Sequence, residues 1–340
     1  MSASTILVAQ EDGGQSPPQP TVLVIAGPTG SGKTGLALAL ATKNPIEIVN
    51  ADSRGFYIGM DAGTAKPTPD ERSLVRHHLV DILAPDAPMS VTIFQELANE
   101  AITGIHARNA LPVVVGGSAQ YLNALVEGWR APAVAPDEAF RRQLEAEAAE
   151  IGVEPLLDRL RSIDPVSAER NGPNLRRIIR ALEVWRATGV PMSDLQTRQP
   201  PPYRFIEVEL WWPREVLYSR IDRRVDDMIA NGLVEEVRAL LAAGYAPTLP
   251  AFSSIGYRQL VPAIVDGTPE ALDAAIQRIK VDTHRLVRHQ QTWFRKNPRL
   301  HRIDMTSDDA PTRILSLLER DGSSLPVDDE CSSLGHRGSS

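Results

Sequence analysis

Short apolar runs alternate with helical periodicity through the first 130 residues. Val22-Leu23-Val24-Ile25-Ala26 is an apolar run of strand length, and Gly35 to Ala41 follows it with helical spacing. Ile46-Glu47-Ile48-Val49 reads as a second strand and Leu79-Val80-Asp81-Ile82 as a third. Val91 to Ala107 carries the period of an amphipathic helix. Leu111-Pro112-Val113-Val114-Val115 is a buried strand that ends in Gly116-Gly117. Strands alternating with helices predict an α/β fold, a parallel sheet with helices on both faces. Ligands of such sheets sit beyond the carboxyl ends of the strands.

From Pro132 to Pro202 the pattern changes. Pro136 to Ile151, Glu154 to Ile163 and Asn174 to Thr188 read as helices with no strand between them. Pro-rich stretches bracket this block, Ala131 to Pro136 before it and Pro200-Pro201-Pro202 after it. Residues 132–202 are therefore expected to be an all-helical domain inserted into the core. Phe205 to Trp212 then returns as a strand of alternating character. Arg214 to Ala230 is a helix stopped by Asn231-Gly232. Leu233 to Ala243 and Pro269 to Asn297 are further helices. The core is thus 21–131 and 203–304. The end, 305–340, is expected to hold a helix and an acidic tail, and 1–20 has the composition of a disordered tail.

The net charge of −7 argues against nucleic acid until its distribution is considered. Nearly all of the excess lies in the two tails. Between 278 and 302 the chain instead carries eight Lys or Arg, with Asp282 the sole acid. Composition leaves open whether this is a solvated helix face or a surface for phosphate backbones. No apolar run is long enough for a membrane span, about 18 residues. The start has no secretory pattern, so the cytoplasm is the expected compartment. The single cysteine, Cys331, excludes a disulfide framework and a Cys-ligated zinc site.

The strongest chemical signal is Gly27-Pro28-Thr29-Gly30-Ser31-Gly32-Lys33-Thr34, a P-loop without mismatch between a strand and a helix. Its backbone N–H groups and the helix N-terminus favour a phosphate. Lys33 supplies a point charge, and Thr34 is the candidate ligand for Mg²⁺. A P-loop kinase places an Asp at the end of an apolar strand; Val113-Val114-Val115 runs into glycines instead. The first acid after a strand is Asp52, suited to act as a base or a metal partner, or as a turn cap.

Residue by residue, the chain resembles the tRNA dimethylallyltransferases, also called tRNA isopentenyltransferases. The likeness is carried by Gly27-Pro28-Thr29, Asn50-Ala51-Asp52-Ser53 with Tyr57, and Gly59-Met60-Asp61. Gly63-Thr64-Ala65-Lys66-Pro67 and His78-Leu79-Val80-Asp81-Ile82 match next, followed by Val115-Gly116-Gly117 with Tyr121, Asp164-Pro165 and Arg180 to Val184. Arg220-Ile221, Arg224-Val225-Asp226, Ile255 to Gln259, and Gln290 with Thr292 to Arg295 complete it. It covers about 21–304, and Gly-Thr-Ala-Lys-Pro is foreign to generic P-loop enzymes.

The resemblance implies transfer of a dimethylallyl group from its diphosphate to N6 of the adenosine 3′-adjacent to the anticodon, in tRNAs reading codons that begin with U. The P-loop then holds a prenyl diphosphate. Lys33, Mg²⁺ on Thr34, and Arg224 neutralise the leaving group; Asp52 takes the amine proton; Thr29 touches the diphosphate or the allyl charge. Asp52, Ser53, Arg54, Gly55, Ser118, Arg141, Arg176, Arg177, Arg180, and Ser253-Ser254-Ile255-Gly256-Tyr257-Arg258 would line the RNA path. The partners implied are a tRNA anticodon stem-loop and dimethylallyl diphosphate, with no membrane, no obligate protein partner and a monomeric chain. Three departures from the family pattern stand out: Ser118-Ala119-Gln120-Tyr121, Gly172-Pro173-Asn174-Leu175 and Arg288-His289-Gln290. Two other readings compete, prenyl transfer to a free adenine nucleotide and a small-molecule P-loop kinase. Trp211, Trp212, Trp293 and Phe294 are expected to pack, and His77-His78 is not expected to bind a metal.

Overall fold

The computed structural model describes residues 19–132 and 134–320; the expected disorder of the two tails lies outside the described residues, apart from Gln19 and Pro20. The centre of the fold is β1 (Thr21–Ala26), whose side chains divide between two cores. Leu23 and Ile25 join Leu36, Leu40, Ile314 and Leu318 on one face; Val22 and Val24 join Phe94, Ile102 and Ile105 on the other. Burial on both faces is why the strand reads as a continuous apolar run.

Beside β1 stand β2 (Ile46–Asn50), β3 (His77–His78), β4 (Leu111–Gly116), β7 (Arg204–Trp211) and β8 (His301–Asp304). Their order is β3-β2-β4-β1-β7-β8, and every pairing is parallel. β5 (Trp129–Arg130) and β6 (Thr197–Arg198) form a separate antiparallel ribbon. Helices α1 (Lys33–Ala41), α2 (Pro69–Leu74), α3 (Val91–Ala107) and α4 (Ala119–Glu127) belong to the first half of the core. The expected parallel sheet with helices on both faces is present.

The insertion contains α5 (Glu138–Ile151), α6 (Glu154–Ile163), α7 (Pro165–Asn171), α8 (Leu175–Thr188) and α9 (Met192–Leu195). It has its own core, built from residues such as Leu144, Leu156, Leu160, Ile178 and Leu182. The β5–β6 ribbon closes its base, where Gly128 lets the backbone of Gln199 approach: a Cβ there would sit 1.9 Å from the Gln199 carbonyl. After β7 come α10 (Arg214–Ala230), α11 (Leu233–Ala242), α12 (Tyr257–Asp266), α13 (Pro269–Lys296) and α14 (Ala310–Arg320). Helices α10 to α13 form a fourth core with Tyr57 and Met60, at the carboxyl end of the sheet.

The structure corrects four expectations. Residues 79–82 are not a strand: β3 is His77–His78, and Leu79 and Asp81 turn away with φ of 60° and 55°. Asp81 is drawn from the sheet by Lys66 at 2.5 Å and Arg72 at 2.6 Å. β7 does not alternate between core and solvent. Glu207 and Glu209 are buried, held by Arg299 at 2.8 Å and Arg302 at 3.5 Å. α12 was not expected, because Gly256 and Pro262 break its pattern. β8 was not expected either, since only Ile303 of its four residues is buried.

Candidate active site

Residues of β2, β3 and β4 and of helices α1, α2 and α10 line a cleft of about 390 Å³. The P-loop forms one wall. Gly30 and Gly32 take φ of 80° and 91°, a left-handed pair that turns the loop into α1. Lys33 Nζ donates to the carbonyls of Gly27 at 3.0 Å and Pro28 at 2.9 Å. Burial pulls the Lys33 ammonium down to about 8; the Asp52 charge opposes this and the Arg224 charge adds to it. Trp212 Nε1 donates to the Ser31 carbonyl at 2.9 Å and Arg220 Nε to the Gly30 carbonyl at 2.9 Å. Trp212 thus does more than pack.

Asp52 also lines the cleft, just past β2. Asn50 Oδ1 accepts from the Asp52 N–H at 3.0 Å, and Asp52 Oδ1 accepts from the Arg54 N–H at 3.0 Å. These bonds are the cap chemistry the Asp-Ser pair suggested, yet the residue also lines the cleft. The carboxylate is held by its own loop and keeps lone pairs for a ligand.

Arg224 enters from α10, and its Nη2 donates to the Thr64 carbonyl at 3.3 Å. Its buried Nε has no partner. Among the described residues neither Lys33 nor Arg224 forms an ion pair within 4.0 Å. Two withdrawn cations without a partner carboxylate make an anion receptor.

The segment 61–67 forms the cleft's rim. Lys66 Nζ, nearly buried, is bound to Asp61 at 2.8 Å and Asp81 at 2.5 Å, and donates to the Tyr57 carbonyl. The Gly-Thr-Ala-Lys-Pro stretch was visible in the sequence; its ion-pair partners were not. Sequence reasoning gave no role to Glu236. Its carboxylate accepts from the N–H groups of Asp61, Ala62 and Gly63 and from the Tyr257 hydroxyl. Nothing in the local sequence of α11 signals this.

Magnesium suits the donor set present. The described residues hold no cluster of three His, Cys, Asp or Glu able to cage a metal. Thr34 and Asp52 line the cleft, and Mg²⁺ takes few protein ligands, completing its shell with water and substrate phosphates. His77 Nδ1 bonds the Val75 carbonyl while its buried Nε2 has no partner, and His78 Nε2 pairs with Glu47 at 2.6 Å.

The residues expected along the RNA path are spread over several settings. Ser53 and Arg54 are half-buried beside Asp52, and Gly55 is buried. Arg54 donates to the Pro250 carbonyl and to Ser253 Oγ. Ser118 Oγ accepts from the Ser53 N–H at 3.3 Å. Ser253 and Arg258 are exposed, Ile255 is half-buried, and Ser254, Gly256 and Tyr257 are buried. Tyr257 faces the helical core and Glu236, and burial raises its phenol well above the usual range. Arg176 and Arg177 are exposed on the first turn of α8. Arg141 and Arg180 instead converge on Glu183, 2% exposed, at 2.8 Å and 2.6 Å. The basic stretch is largely paired: Arg278 and Arg285 meet Asp282, Lys280 meets Asp226, and Arg299 and Arg302 hold the buried glutamates of β7.

The family model for IPP transferase matches residues 55–297. A tRNA dimethylallyltransferase of Roseiflexus castenholzii is 47% identical over 300 residues, covering 88% of this chain and 97% of the relative. One from Thermomicrobium roseum is 49% identical, covering 84% and 86%. Among solved structures, the full-length tRNA isopentenylpyrophosphate transferase of Bacillus halodurans is 36% identical, covering 89% of this chain and 98% of that one, with TM-score 0.66. A eukaryotic dimethylallyltransferase, described as acting on tRNA, is 25% identical and covers 92% of this chain and 81% of its own, with TM-score 0.73.

Proposed function

The chain belongs to the IPP transferase family, and on that premise we propose that it transfers a dimethylallyl group from dimethylallyl diphosphate to N6 of an adenosine in tRNA. The observation that carries this reading is one cleft that gathers two cations without a partner carboxylate and one carboxylate. Lys33, Arg224 and Asp52 line it together, close enough for their charges to act on one another. The relatives are named for this activity, which favours it over a free-nucleotide acceptor. The finer acceptor is the adenosine 3′-adjacent to the anticodon in tRNAs reading codons that begin with U. Such a substrate places the reaction in the cytoplasm; no described helix is long and apolar enough to cross a membrane.

In the reaction N6 attacks C1 of the dimethylallyl group as the C1–O bond breaks. The oxygen leaves with the bonding pair as diphosphate, and Asp52 takes the proton lost by N6. Lys33 and Arg224 meet the negative charge that grows on the leaving group. Thr34 would hold Mg²⁺, which would supply further neutralisation of the diphosphate. The P-loop amides bind the diphosphate, and the adenosine must leave its stack to reach the cleft. Arg54 and Ser118 bond to the Asp52 loop and Ser253 bonds to Arg54, which makes them candidates to touch an extruded nucleotide.

The test is side-by-side turnover with dimethylallyl diphosphate. An anticodon stem-loop should gain one dimethylallyl group per molecule, read by nucleoside mass spectrometry, while AMP stays unmodified. Equal prenylation of AMP would make the acceptor a free nucleotide. Tight binding and hydrolysis of ATP would return the P-loop to kinase chemistry.

A further inference from the structure

Glu236 lies on α11, outside the walls of the cleft, yet its carboxylate is almost wholly committed to one segment of the rim. Oε2 accepts from the N–H of Asp61 at 2.7 Å and of Ala62 at 2.8 Å. Oε1 accepts from the N–H of Gly63 at 3.3 Å and from the Tyr257 hydroxyl at 2.5 Å. Four donors on one ionised carboxylate are charge-assisted bonds, among the stronger ones in proteins. Three successive backbone N–H groups pointing inward define a tight anion-binding turn. Gly63 is needed for the fit: a Cβ there would lie 2.5 Å from the Tyr257 ring and 2.7 Å from Leu233.

The next residue after this turn reaches the reacting groups. Thr64 donates its hydroxyl back to the Met60 carbonyl at 2.6 Å, which ties it to the start of the turn. The Thr64 carbonyl accepts from Arg224 Nη2 at 3.3 Å. No other hydrogen-bond partner of the Arg224 guanidinium is present among the described residues, and its Nε is an orphan. The guanidinium that faces the leaving group is thus aimed by one carbonyl, and that carbonyl is placed by Glu236.

We propose that Glu236, with Tyr257, is a positioning residue that sets Arg224 for diphosphate through the turn Asp61–Thr64. This rests on the donor assignment made above, in which Arg224 meets the diphosphate. Glu236→Gln keeps the size of the side chain but turns one acceptor into a donor aimed at other donors. Tyr257→Phe removes a single bond and keeps the packing.

The experiment measures inorganic pyrophosphate binding by calorimetry on full-length protein, without RNA, together with thermal melting. Glu236→Gln should weaken pyrophosphate about tenfold, or about 1.4 kcal/mol, and Tyr257→Phe by about threefold. In an Arg224→Ala background neither change should weaken it further by more than about twofold, since coupled residues are not additive. Pyrophosphate affinity unchanged in both single variants overturns the proposal, as do losses that simply multiply with Arg224→Ala. A variant that merely loosens the fold would lower the melting temperature without this coupling, and that outcome also counts against it. If Glu236→Gln fails to fold, the Tyr257→Phe arm decides alone. Transfer to the stem-loop by the wild-type chain is a separate arm. Its failure would refute the proposed reaction, while the pyrophosphate cycle would still read the link between Glu236 and Arg224.

Discussion

Gln290 bridges Thr29 and Gly117, tying the P-loop to the end of β4 from a helix 261 residues further along the chain. Its Oε1 accepts from the Thr29 N–H at 3.0 Å, and its Nε2 donates to the Gly117 carbonyl at 3.0 Å. The neighbouring Ser118 hydroxyl then meets the Asp52 loop at the Ser53 N–H. One carboxamide therefore fixes the spacing between the P-loop and the Asp52 loop, the proposed holders of donor and base. Gly117 leaves it room: a Cβ would lie 2.8 Å from Gln290 Nε2.

Replacing Gln290 with Met keeps the volume and removes both bonds. Turnover should fall by about tenfold to a hundredfold, because small misplacements of reacting groups are costly. The melting temperature should shift by only a few degrees, as expected for about 1 kcal/mol of lost hydrogen bonding. Steady-state kinetics beside thermal melting checks this. A large loss of stability with normal turnover per folded molecule would reduce Gln290 to a structural clip.

Asp52→Ala should lower the transfer rate by about 10² to 10⁴, the range for removal of a general base. Stem-loop affinity should change little, because one contact among many is lost. Single-turnover rates and filter binding on the same preparation separate the two quantities. A rate within about threefold of wild type would exclude Asp52 as the proton acceptor.

Lys33 gives the site a pH signature. Burial lowers its ammonium to about 8, against an ordinary value of 10.5. As pH rises through about 8, the charge proposed to meet the diphosphate is lost, so kcat/KM for the donor should fall. The stability effect has the opposite sign. Between about 8 and 10.5 the unfolded chain binds the proton that the native chain has released, so this group adds stability as pH rises. Lys33→Arg should abolish the break near 8 in the donor profile. A profile flat to pH 10 in the wild-type chain would show that burial does not lower this amine.

Local patterns were legible in the sequence, and long-range bonds were not. The P-loop, β1, α3 and α10 could be read because their signals lie within a few turns of chain. Residues 79–82 misled because apolar character alone cannot separate a strand from a turn; the ion pairs of Asp81 with Lys66 and Arg72 decided the matter. Glu207 and Glu209 looked like a solvent face, whereas arginines nearly a hundred residues later permit their burial. The same limit hid the partners of Gln290 and Glu236, whose acidic or amide side chains carry no local mark of what they bind.

The insertion offers the sharpest division among the candidate RNA contacts. Arg141 and Arg180 close on Glu183, whose carboxyl they help pull down to about 2 against the effect of burial. Glu183 also accepts from the Asp137 N–H at 2.7 Å, and Arg180 donates to the Val134 carbonyl. Removing either arginine leaves a buried carboxylate short of donors, so Arg141→Ala or Arg180→Ala should destabilise the insertion by about 1–3 kcal/mol. Adding Glu183→Gln should recover part of that loss. Arg176 and Arg177 stand exposed on the first turn of α8, where cations gain nothing from the helix dipole. Replacing both with Gln should leave the melting temperature unchanged. Stem-loop affinity should weaken, and the slope of log affinity against log salt should shrink by up to about 0.9 per lost phosphate contact for duplex RNA, taking the B-DNA value. Pyrophosphate binding should not move, because the insertion has its own core and the P-loop lies in the other domain. Titrations of a labelled stem-loop at several salt concentrations decide it. An unchanged slope in the double variant would remove Arg176 and Arg177 from the RNA surface, and a flattened slope with Arg141→Ala at unchanged stability would move Arg141 onto it.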